Sequence, residues 1–73
     1  MGNQERFFKG LGLRIKDLRR KRAYSQEDMI SFGFSARHWQ QIEAGRPITV
    51  RTLLRIAQVF KIPVDRLVRG LGR

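Results

Sequence analysis

"SQEDMISFGFSARHWQQIEAG", residues 25–45, holds two short amphipathic segments separated by a glycine. Ser25 suits the N-cap of the first, with Glu27 and Asp28 in the turn after it, where the helix dipole favours negative charge. Met29, Ile30 and Phe32 are its apolar cover, and Gly33 can take the left-handed conformation that stops a helix and turns the chain. Ser35 then caps a second segment, expected over residues 36–45 with Gly45 as its terminal glycine. That segment has two unlike faces, Trp39 and Ile42 on one, Arg37, Gln40 and Gln41 on the other. The i, i+3 relation of Trp39 to Ile42 assigns the indole to the core rather than to stacking on a ligand.

Upstream, Phe8, Leu11, Ile15 and Leu18 recur at helical spacing, with Arg14, Lys16, Arg20 and Lys21 elsewhere around the wheel. A first helix should therefore run to about Arg22. Gly10 and Gly12 each weaken a helix interior by about 1 kcal/mol relative to alanine, so residues 1–10 are expected to fray. Downstream, Thr49 can cap a helix whose Val50, Leu53, Ala57 and Phe60 sit at i, i+3, i+7 and i+10, widened by Leu54 and Ile56. Pro63 suits the start of a last helix running through Leu67 and Val68 to Gly70. Strand signals are almost lacking and every connection is short. The expectation is an all-α fold: one domain over residues 1–73, five helices, with a helix-turn-helix at about residues 25–45.

Sixteen Lys and Arg against six Asp and Glu give a net charge of +10, which makes a polyanion the expected partner. The charge is uneven. Residues 1–22 carry eight basic and two acidic groups, residues 23–43 one and three, and residues 44–73 seven and one. The flanks thus supply attraction, while the least basic third, which holds the quoted stretch, is left for something more selective. Aliphatic, aromatic and other apolar residues reach 41%, enough for a core near the lower size limit of an independent domain. No cysteine is present, which fits a reducing cytoplasm, and no apolar run approaches the roughly 20 residues of a membrane span. The first residues lack the hydrophobic core of a secretory signal, and Arg6 stands where a myristoylation signal has Ser or Thr.

One histidine, no cysteine and six scattered acids offer no evident nucleophile–base pair and no metal-ligand cluster, so neither an enzyme nor a cofactor is expected. The run "RRKR" at residues 19–22 could pass for a targeting or RNA-binding tract. On a helix its side chains diverge, so Arg20, Lys21 and Arg22 are read as solvated, field-building charges.

Taken in order, "SQED", "GFS", "IEAG" and "TLLRIAQVFKI" resemble the Cro and phage-repressor type of helix-turn-helix, common in small bacterial regulators. The resemblance covers residues 11–71 and implies a lambda-repressor-like DNA-binding domain whose second motif helix lies in the major groove of double-stranded DNA. It implies base contacts by Ala36, Arg37 and Gln41, with Gln40 close by. Side-chain chemistry agrees: arginine pairs with guanine O6 and N7, glutamine with adenine N6 and N7, and a small apolar group can touch the thymine methyl. The resemblance also implies phosphate contacts by Gln26, Ser35 and Arg46, with His38 at the edge between faces, and an Arg19–Glu43 structural ion pair. It implies a homodimer on a pseudo-palindromic operator, joined through Val64, Leu67, Val68 and Leu71, although Leu67 and Val64 could equally finish the core.

Three departures accompany the likeness. The span from Gln26 to Ser35 is one residue short, Ile30 replaces the usual alanine, and Ala23 stands where a glycine often precedes the motif. Two other readings stay open: a non-specific basic nucleic-acid-binding protein, or a protein-binding module such as an antitoxin on the same scaffold. RNA polymerase or a regulatory protein is a further possible partner.

Overall fold

The first helix, α1, spans Gly2–Lys21 in the computed structural model, which describes residues 2–72, with side chains from residue 4 onward. Of the residues 1–10 expected to fray, residue 1 lies outside the described residues and residues 2–10 are helical, the helix being continuous through both glycines. Their role is close approach. A Cβ on Gly12 would lie 2.7 Å from the Ile42 carbonyl oxygen and 2.8 Å from that of Glu43, so the missing side chain lets α1 lie directly on the end of another helix. At Gly10 the neighbour is the Leu71 side chain, 2.9 Å away. Packing of this kind outweighs the intrinsic cost of glycine in a helix.

The remaining elements are α2 (Gln26–Ser31), α3 (Ala36–Glu43), α4 (Val50–Phe60) and α5 (Val64–Val68), with no strand among the described residues. Ser25 and Asp28 form a reciprocal capping box at the start of α2, at 3.1 and 2.7 Å. Ser35 accepts from the His38 amide at 3.0 Å and Thr49 from the Thr52 amide at 3.1 Å. The first four helices end alike. In each, the amide after a left-handed residue bonds a carbonyl five back and that residue's own amide one three back, as in Tyr24 to Arg19 and Ala23 to Arg20. Gly33 and Gly45 occupy the left-handed position of two such turns, but Ala23 (φ 58°) and Lys61 (φ 56°) occupy it in the others.

One core unites all five helices. Leu11 and Ile15 come from α1, Met29 from α2, Trp39 and Ile42 from α3, Ile56, Ala57 and Phe60 from α4, and Leu67 from α5, joined by Phe34 from the α2–α3 turn. Three expectations about apolar side chains are corrected. Ile30 and Phe32 are both 44% exposed, so only Met29 anchors α2. The six residues of α2 make fewer than two full turns, too few to turn three apolar side chains inward. Val50 and Leu54 are exposed as well, so the buried stripe of α4 centres on Ile56, Ala57 and Phe60, with Leu53 half-buried. Leu67 is wholly buried, hence a core residue and not part of any surface for a second subunit. Val64, Val68 and Leu71 are half-buried and pack against the core.

Arginines tie the periphery. Arg14 donates to the carbonyls of Leu67 (3.2 Å) and Arg69 (2.6 Å), satisfying the end of α5. On α5 itself the Arg69 guanidinium, hydrogen-bonded to Asp65 at 2.7 Å, holds that carboxyl below the usual range.

Candidate nucleic-acid interface

Helix α3 is held from behind. Trp39 is fully buried and Ile42 nearly so, and the Trp39 indole N–H donates to Glu43 Oε2 at 2.6 Å, one turn along. Glu43 also accepts from Arg19 Nε at 2.6 Å and Nη2 at 3.2 Å, and from the Gln26 amide at 3.4 Å. One carboxylate therefore joins α1, α2 and α3. Both side chains of the Arg19–Glu43 pair are less than one-tenth exposed, and Arg19 also donates to the Tyr24 carbonyl at 2.9 Å, so the charges are desolvated but fully satisfied. Glu43 is thereby committed to internal partners.

The turn is braced as well. Phe34 precedes the Ser35 cap and packs on Trp39 with ring centroids 5.0 Å apart, the N′ to N4 contact of a hydrophobic staple. Arg55 of α4 donates to the Gly33 carbonyl at 3.1 Å and lies 4.5 Å from the centroid of the Phe34 ring. Neither Phe34 nor Arg55 was singled out from sequence. The staple spacing from residue 34 to 39 was the available signal for Phe34; Arg55, 22 positions from its carbonyl partner, had none.

The outward face of α3 gathers the residues expected there. Ala36, Arg37 and Gln40 are exposed, Gln41 is half-buried, and His38 is half-buried at the margin. Arg37, Gln40, Gln41, Ala44 and Arg46 line one open depression. Arg46 is brought back to this face because its amide bonds the Gln41 carbonyl at 3.0 Å across the Gly45 turn. None of the Arg37, Gln40, Gln41 and Arg46 side chains has an internal hydrogen-bond or ion-pair partner among the described residues. Ser35 is exposed, its hydroxyl occupied by the cap. Gln26 is exposed but turned toward Glu43 at the outer limit of a hydrogen bond, a contact that is cheaply given up.

This arrangement offers paired donors and acceptors on a rigid ridge, with cations at its edge. Among the described residues there is no group of three or more His, Cys, Asp or Glu side chains able to hold a metal, and no helix is long and apolar enough to cross a membrane. No protein-family model, no curated protein and no solved structure matches the chain.

Proposed function

We propose that the chain is a sequence-specific double-stranded-DNA-binding protein of the Cro and phage-repressor type, a small cytoplasmic, nucleoid-associated transcriptional regulator that acts by binding and not by catalysis. The observation that carries this reading is the pairing of opposites on one short helix: Trp39 and Ile42 sealed in the core, Arg37, Gln40 and Gln41 unengaged on the surface. In a major groove, Arg37 and Gln41 read base edges bidentately, Gln40 assists and Ala36 meets a thymine methyl. Ser35 through its amide, Arg46, Gln26 after release from Glu43, and His38 take phosphates and so set register without specifying sequence.

A single reading helix of eight residues buries too little surface for tight specific binding, so the proposal includes a homodimer on half-sites one helical turn apart. Val64, Val68 and Leu71 supply its contact. Selection of bound duplexes from a random pool tests the whole reading. A defined site should emerge, and Arg37→Ala and Gln41→Ala should each cost about 1–3 kcal/mol at particular base pairs while leaving random duplex affinity nearly unchanged. An unchanged preference in both variants refutes the groove assignment.

A further inference from the structure

One surface contributes nothing to the proposed DNA contacts. Arg51, Leu54, Gln58 and Lys61 stand at i, i+3, i+7 and i+10, forming a seam along α4 about 15 Å long. All four are exposed; Leu54 keeps 50% of its surface and Val50, one turn earlier, 70%. An open groove beside the seam adds Ala57 and Ile62 to its lining and ends at Val64, where it meets the α5 face assigned above to a second copy. No carboxylate lines the groove, and among the described residues neither Arg51 nor Lys61 has an ion-pair partner. Arg55, the third cation there, is committed to Gly33 and Phe34. The seam therefore runs cation, leucine, amide, cation above an aliphatic floor.

We propose that this seam docks an acidic amphipathic helix of a partner protein, with an aliphatic side chain against Leu54 and Ile62 and carboxylates facing Arg51 and Lys61. Charge complementarity selects the occupant. A second copy laid antiparallel sets Arg51 against Lys61, and laid parallel sets each cation against itself, so both homotypic pairings juxtapose like charges. A nucleic-acid backbone satisfies the cations but leaves Leu54 and Ile62 without apolar cover. A helix with carboxylates about three turns apart, bracketing a leucine, satisfies both the charge and the floor. Such a site lets an acidic protein hold the chain while α3 stays accessible. The inference stands apart from the DNA reading, since no residue of α3 contributes to it.

The test is an NMR titration of the isotope-labelled full chain, at near-physiological salt, with a synthetic helix-forming peptide bearing glutamates and leucine at the matching spacing. The amides of Leu54, Gln58 and Lys61 should shift saturably, and a scrambled peptide of equal composition should bind at least about tenfold more weakly. The double variant R51E and K61E should lose the acidic peptide and gain its lysine counterpart, and Leu54→Gln should weaken binding with melting temperature unchanged. Equal binding of the scrambled peptide, shifts centred on Arg37 and Gln41, or the same seam shifts on concentrating the free chain or adding random duplex would each overturn the proposal. The wild-type map decides the matter even if the double variant fails to fold.

Discussion

Glu43 shows how a single side chain decides whether the surface chemistry exists at all. Breaking a buried ion pair from one side leaves the other charge desolvated, at a cost of about 3–5 kcal/mol. Arg19 is 8% exposed and has only the Tyr24 carbonyl as a further partner, so Glu43→Gln is expected to lose about 3 kcal/mol in urea denaturation. Ala23 offers the opposite sign. Its φ of 58° places a Cβ where left-handed backbone costs roughly 1–2 kcal/mol, partly offset by the greater unfolded freedom of glycine. Ala23→Gly should therefore stabilise by about 0.5–1 kcal/mol, raising the melting temperature by a few degrees. The Arg19–Glu43 pairing was anticipated from resemblance, whereas the indole bond to the same carboxylate was legible as an i, i+4 spacing and went unread.

Helices were legible wherever a cap or a glycine punctuated them. Ser25, Ser35 and Thr49 act as N-caps, and Gly33 and Gly45 sit in left-handed turns, because these are local rules that need no knowledge of the rest of the fold. Local rules serve less well at the start of α1, where the two glycines matter through packing. Propensity counts Gly10 and Gly12 as equal weaknesses, but only the packed structure distinguishes a backbone neighbour from a flexible one. Gly12→Ala should lower stability by about 1–3 kcal/mol despite the better helix former, because its Cβ meets the Ile42 and Glu43 carbonyls, which cannot yield without separating α1 from α3. Gly10→Ala meets a movable Leu71 methyl and should change stability by less than about 1 kcal/mol either way. Thermal melts of the two variants side by side check the contrast. Val50 and Leu54 escaped for a related reason: helical periodicity marks a stripe but not its width, and these two, four residues apart, lie on its outer side while Thr52 in the first turn is buried.

Across the molecule, charge and architecture divide the labour. The net +10 belongs mostly to the two ends of the sequence, and in the proposed complex it draws DNA in while α3 discriminates. Binding should accordingly weaken with salt, and Arg46→Ala should reduce the slope of log affinity against log salt by about one while weakening all duplexes alike. Analytical ultracentrifugation at micromolar concentration checks the dimer, since a persistent 8.6 kDa species with and without DNA contradicts it. Fold class was legible because the helical pattern and its punctuation fill the chain. The proposed DNA partner rests on charge and side-chain chemistry alone. The exposed face of α3 has one more consequence. Ala36, Arg37 and Gln40 lend nothing to the interior, so under the proposed reading exchanging them would rewrite the message without disturbing the page it is written on. Were α3 the reading element, such a scaffold would acquire new targets by drift, one tolerated surface change at a time.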